Sequence, residues 1–105
     1  MTDAVLVLSA ASTREEAERI AQALVDERLA ACVNVVPGVV SVYRWKGAVQ
    51  KDDELLLVIK TRSEAVEALR ARLVALHSYE LPEVVVLTIA GGHPPYLDWI
   101  ADGVR

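Results

Sequence analysis

Cys32, His77 and His93 are the side chains of this 105-residue sequence that offer a soft sulfur or an imidazole nitrogen to a metal ion. No C-x-x-C, H-x-x-x-H or H-E-x-x-H spacing joins them, so no closed nitrogen and sulfur zinc site is expected within one chain. Cys32 has two readings. Its thiolate is a soft ligand for copper or zinc and a redox-sensitive group; between Ala31 and Val33 it is equally a small buried hydrophobe at a strand start. His77 follows a helical stretch, where an imidazolium complements the carbonyl end of the helix dipole, and metal ligation is its alternative. His93 lies between Gly91-Gly92 and Pro94-Pro95, in a loop that suits either a solvated imidazole or a ligand.

A second set is Trp45, Lys60, Tyr79, Glu80 and Glu83. Lys60 ends one apolar strand and Glu83 begins another after Pro82, and strand ends of one sheet can bring such residues together. A carboxylate and lysine pair with aromatic walls can bind a small ligand, and an interfacial ion pair would use the same residues. Asp52, Asp53 and Glu54 read as a charged hairpin end that opposes edge-to-edge aggregation. Catalytic patterns are missing: there is no G-x-S-x-G elbow, no P-loop and no G-x-G-x-x-G, so binding is expected before catalysis.

These residues need a scaffold, and 105 residues provide for one domain. The mean hydropathy is positive, +0.31, yet charged residues interrupt every apolar run before it could span a bilayer. A net charge of -4 with scattered basic residues argues against nucleic acid as a partner. A single cysteine, with a Met-Thr-Asp start that lacks a basic signal-peptide region, points to a reducing cytoplasm. Phe is absent, so Ala, Val, Leu and Ile must fill the core.

Ala4 to Ala10 reads as a strand. Thr13-Arg-Glu-Glu16 is a capping-box pattern that starts a helix, with Ala17, Ile20, Ala21, Leu24 and Val25 on its packed face and an end near Arg28. Cys32 to Trp45 is a long strand interrupted at Pro37-Gly38; Lys46-Gly47 turns it, and Leu55 to Thr61 returns after an exposed approach from Gln50 to Glu54. Thr61-Arg-Ser-Glu64 is a second capping pattern, before a helix carrying Val66, Leu69, Leu73 and Leu76. Val84 to Ile89 is a buried strand, and Pro94-Pro95 opens a short helix that Gly103 ends.

The order β-α-β-β-α-β plus a C-terminal helix predicts an α+β, ferredoxin-like sandwich: an antiparallel sheet with two helices on one face. The other face stays uncovered and apolar. Oligomerisation through that face and the long hairpin is expected.

Ala30-Ala-Cys-Val-Asn-Val-Val-Pro-Gly38, Ser41-Val-Tyr-Arg-Trp-Lys-Gly47, Leu57-Val-Ile-Lys-Thr61 and His77-Ser-Tyr-Glu-Leu-Pro-Glu83, followed by Tyr96-Leu-Asp-Trp-Ile100, resemble the CutA family of divalent-cation tolerance proteins. The resemblance runs from about Val5 to Ile100. It implies a homotrimer whose hairpins pack around a threefold axis, a cytoplasmic setting, and a link to copper and other divalent cations with no obligatory cofactor. It also implies that Trp45, Lys60, Tyr79, Glu80 and Glu83 map near a cleft between subunits. Family members with a proposed metal-binding histidine place it in the loop that holds His93. Two alternatives stand beside metal binding: a small-ligand signalling trimer resembling PII proteins, and an adaptor trimer whose effect on metals is indirect.

Overall fold

The computed structural model describes residues 2–105. Strand β1 (Ala4–Ala11) leads to helix α1 (Arg14–Asp26), then to β2 (Cys32–Trp45), β3 (Ala48–Arg62), helix α2 (Val66–Leu76), β4 (Val85–Thr88) and helix α3 (Pro94–Gly103). The strands form one antiparallel sheet in the order β2-β3-β1-β4.

Period-2 alternation sends Val7 and Ala11 of β1 and Leu57 and Ile59 of β3 to one face. There they meet Ala17, Ile20 and Leu24 of α1 and Leu69 and Leu73 of α2. Ile20, Leu24, Leu57, Ile59, Leu69 and Leu73 are fully buried. Burial of each such side chain contributes about 1.5–3 kcal/mol, which is how a core without phenylalanine holds.

Helix α1 starts as its sequence implies: the Thr13 hydroxyl accepts from the Glu16 N–H at 3.1 Å. The other half of the expected box is replaced. The buried Glu16 carboxylate lies 3.6 Å from Arg19 Nη2 and 3.7 Å from His77 Nδ1, not on the Thr13 backbone N–H. The helix stops at Asp26, two residues before Arg28, which takes a left-handed φ of 58° and turns the chain toward β2.

The second capping pattern does not cap. Thr61 is still in β3 and fully buried, and its hydroxyl donates to the Leu29 carbonyl at 2.6 Å. A 3-10 turn, Ser63–Ala65, leads into α2 instead. The returning strand is also longer than its apolar run, because Ala48 to Glu54 pair with Trp45 to Val39. Their polar side chains fit a strand whose two faces both reach past the helices into solvent. Strand β4 covers Val85–Thr88, shorter at both ends than the run Val84 to Ile89, and it is an exposed edge strand instead of the expected buried one, because β1 pairs it on one side only.

The interruption at Pro37-Gly38 is a β-bulge: Val36 pairs with Leu56 but Val39 pairs with Glu54, so β2 carries one extra residue. Gly38 sits at φ 80°, where a side chain is strained. One extra residue inverts the side-chain alternation beyond it. Before the bulge, Cys32, Asn34 and Val36 lie on the face away from α1 and α2, each opposite an even-numbered residue of β3; after it, Val39, Ser41, Tyr43 and Trp45 do. Lys46 and Gly47, both at positive φ, close the hairpin in two residues.

The face away from α1 and α2 carries Leu6, Leu8, Leu56 and Val58 with exposed Val36, Val85 and Leu87. Helix α3 covers one end of it, with Ile100 buried and Tyr96 beneath the Lys60 ammonium, 5.6 Å from the ring centroid. The rest is open.

Candidate functional site

Where the hairpin leaves the body, a cavity of about 480 Å³ opens, lined by Ala10, Ser41, Tyr43, Arg44, Trp45, Glu54, Tyr79, Glu80, Leu81 and Glu83. The bulge delivers Ser41, Tyr43 and Trp45 to it, and Glu54 arrives opposite Val39. The fourth wall is the segment after α2, and His77 fixes it. Strand β4 pairs with β1 only as far as Leu8, which leaves the Ala10 carbonyl without a strand partner. His77 Nε2 lies 2.7 Å from that oxygen and donates to it, so Nδ1 is the acceptor for the Tyr79 N–H at 3.1 Å.

Tyr79 then packs against the imidazole, with ring centroids 4.5 Å apart, and its hydroxyl donates to Glu54 Oε2 at 2.6 Å. Burial and that bond to a carboxylate push the phenol well above the ordinary tyrosine range. The Tyr43 hydroxyl donates to Asp52, and this bond raises its pKa in the same way. Both phenols stay protonated and act as donors to carboxylates. At the mouth, Lys46 Nζ lies 3.7 Å from Glu80 Oε2 and 5.7 Å from the Trp45 ring centroid.

Four residues of the sequence-derived set meet here: Trp45, Tyr79, Glu80 and Glu83. Lys60 does not. It shares the sheet face but lies six residues along β3 from Glu54, about 20 Å of extended strand. Its ammonium donates to Asn34 Oδ1 at 2.9 Å. Glu83 precedes β4 instead of beginning it, and within the chain the two lysines contact other groups, Lys60 the Asn34 amide oxygen and Lys46 the Glu80 carboxylate.

The metal-donor candidates are dispersed. Cys32 is half-buried on the open face, opposite Lys60 in the β2–β3 ladder. The His77 side chain is fully buried with both nitrogens engaged inside the chain. His93 is exposed ahead of α3, where its carbonyl, not its ring, accepts from the Tyr96 and Leu97 N–H groups. Among the described residues no three histidine, cysteine, aspartate or glutamate side chains gather around one point that could hold an ion. Sequence reasoning missed Tyr43, Ser41 and Glu54. The alternation Ser41-x-Tyr43-x-Trp45 marks one side of a strand, but only the bulge shows which side.

A small α+β protein with a four-stranded antiparallel sheet, an extended hairpin and a ligand-sized cavity at the hairpin's base is the class these features define. The CutA1 divalent ion tolerance protein family matches residues 5–103, and the chain belongs to that family. The divalent-cation tolerance protein CutA of Thermus thermophilus is 53% identical over 97 residues, 92% of this chain and 94% of that protein. A solved structure of the divalent cation tolerance protein from Thermus thermophilus superposes with a TM-score of 0.95 at 50% identity, covering 97% of this chain and 99% of that one. CutA from Xylella fastidiosa gives a TM-score of 0.96 at 43% identity over 99% of this chain and 100% of that one. The chloroplastic CutA of Arabidopsis thaliana is 46% identical over 96% of this chain, which spans 56% of that longer protein.

Proposed function

We propose that this protein is a cytoplasmic homotrimer that supports tolerance to divalent cations by binding copper or a related metal ion, with Cys32 as the soft donor. The observation that carries the reading is the position of Cys32: the chain's one thiol stands half-buried on the open sheet face, outside the aliphatic core. The strand order β2-β3-β1-β4 with α1 and α2 on one face supports a ferredoxin-like sandwich, and the apolar remainder of its other face supports closure by further copies.

The donors described within one chain do not fit a complete metal site, since His77 is committed internally and, among the described residues, Cys32 and His93 have no donor cluster around them. Threefold symmetry supplies what one chain lacks by tripling Cys32. A thiolate at that position would favour copper or zinc over calcium or magnesium, and the lone free thiol suits a reducing compartment.

Calorimetry with Cu(I), Cu(II) and Zn(II) tests the metal reading. Binding by the wild type that Cys32→Ala removes is the expected result; equal binding by both, or none by either, overturns it. Light scattering tests the assembly, and a particle of three times the 11.4 kDa chain mass is expected. The cavity favours a small-ligand role as a second reading. Its PII-like form would need a long loop between β2 and β3 to wrap a nucleotide, and a two-residue turn stands there.

A further inference from the structure

We infer that Glu16 and His77 form a buried, acid-responsive switch: a second proton on the imidazole moves the bond at Nδ1 from the Tyr79 backbone to the Glu16 carboxylate and releases the segment after α2. An orphaned oxygen points to it. Glu16 Oε1 is buried with no hydrogen-bond partner among the described residues, on a side chain only 8% exposed. A folded interior leaves few polar atoms in that condition, and a carboxylate oxygen is a costly one to leave. His77 Nδ1 lies 3.7 Å from it, beyond hydrogen-bond reach, on a side chain with no exposed surface.

The surroundings suit the ring in two states, and one proton separates them. In the neutral ring Nε2 donates to the Ala10 carbonyl and Nδ1 accepts from the Tyr79 N–H. With a second proton, Nδ1 is a donor that faces another donor 3.1 Å away, and the bond to Tyr79 is lost. Nε2 still donates to Ala10, so the ring pivots on that bond, and a movement of about 1 Å brings Nδ1–H onto Glu16 Oε1 as a charge-assisted bond. The new charge then stands in an ion pair instead of alone in the interior. From α1, Arg19 lies 3.6 Å from the other oxygen of Glu16. From β1 comes the Ser9 hydroxyl, buried and also without a partner among the described residues, and from β3 comes Glu54, which the ring meets through the Tyr79 hydroxyl. The cations of α2, Arg70 and Arg72, are paired with Glu67 and Glu27. The two ends of the switch lie on opposite sides of the sheet. Glu16 belongs to α1 on the helix side, whereas Glu54, even-numbered in β3, is on the other face. Tyr79 links them around the end of β1, so a proton taken up under the helices loosens the hold on Glu54 across the sheet. None of these groups is Cys32, so the switch stands or falls apart from the metal reading.

NMR of the imidazole nitrogens in the full chain, followed from about pH 8 to about pH 5, tests the assignment, with exposed His93 as the reference in the same spectra. At the alkaline end His77 is expected to carry its one proton on Nε2. As the pH falls Nδ1 gains a proton, and at the same midpoint the Tyr79 amide loses about tenfold in protection from hydrogen exchange, after correction for the pH dependence of exchange itself. The amides of Leu57 and Ile59, in the core, keep theirs. Glu16→Gln, which keeps the shape but removes the charge, is expected to need about tenfold more acid for both changes. The coincidence of the two midpoints in the wild type tests the switch even where that variant does not fold. A His77 that stays neutral throughout, a proton on Nδ1 that leaves Tyr79 protected, a loss of protection shared by Leu57 and Ile59, or a folded Glu16→Gln that titrates as the wild type does overturns the assignment.

Discussion

His77 completes the edge of β1 where β4 has stopped, and it does so with a ring nitrogen instead of a backbone N–H. Replacing it by leucine keeps the bulk but leaves the Ala10 carbonyl and the Tyr79 N–H unpaired, each at about 1–3 kcal/mol. His77→Leu is expected to lose about 2–4 kcal/mol in urea unfolding, and with it the fixed position of Tyr79. A loss below half a kcal/mol would mean that the ring is not the anchor. Tyr79 itself predicts an alkaline effect with a definite sign. Its pKa is raised above the ordinary 10.0, so the folded state favours the protonated phenol. The resulting stability is complete below pH 10 and is lost as pH rises from there toward the folded-state pKa. Tyr79→Phe should therefore be less stable than wild type by about 1 kcal/mol at neutral pH, the bond being partly exposed, and the gap should close above pH 10. Thermal melts of both proteins across that range read the difference directly.

Among the elements, the bulge in β2 and the end of α1 make the same demand on the backbone, a positive φ, and meet it with different residues. Gly38 sits at φ 80° with nothing within 4 Å of an added Cβ, so Gly38→Ala meets conformational strain alone, about 1 kcal/mol. Arg28 already bears such strain at φ 58°, and Arg28→Gly should recover about 0.5 kcal/mol. Urea midpoints moving in opposite directions for the two variants would bear this out; a shift of the same sign in both would not. The hairpin was legible in the sequence because Lys46-Gly47 is a turn and the valines around it favour strands. Its full length was not, since Gln50 to Glu54 look like a loop until the ladder from Trp45–Ala48 to Val39–Glu54 is seen. The cavity was half legible. Trp45, Tyr79, Glu80 and Glu83 could be named as chemistry, but Lys60 was grouped with them because sequence shows a strand end and not which end of the sheet it occupies. Thr61 misled for a related reason: the same hydroxyl that caps a helix also satisfies a buried carbonyl, here that of Leu29.

At the scale of the molecule, the chain measures 44 × 25 × 23 Å, an elongation produced by the projecting hairpin. On that arm Val40, Val42 and Val49 are 55%, 66% and 62% exposed, more than a lone soluble chain has reason to display. If copies bury these valines and the open sheet face, stability becomes a function of concentration. A hundredfold increase in protein should then raise the Tm by several degrees, because mass action favours the assembled state. A Tm independent of concentration, together with a scattering mass of one chain, would remove the trimer.

The two-residue turn and the bulge together also set how the arm can change in length through evolution. Opposed pairs in an antiparallel ladder alternate between hydrogen-bonded and non-bonded kinds, and a tight turn such as that at Lys46-Gly47 closes on one kind. Removing one residue from each strand would put the wrong pair at the turn, and removing one from a single strand would turn Tyr43 and Trp45 to the other side. Lengthening or trimming that keeps the aromatic wall in place therefore comes in blocks of about four codons, two per strand, so the arm's reach is inherited in steps of about 7 Å.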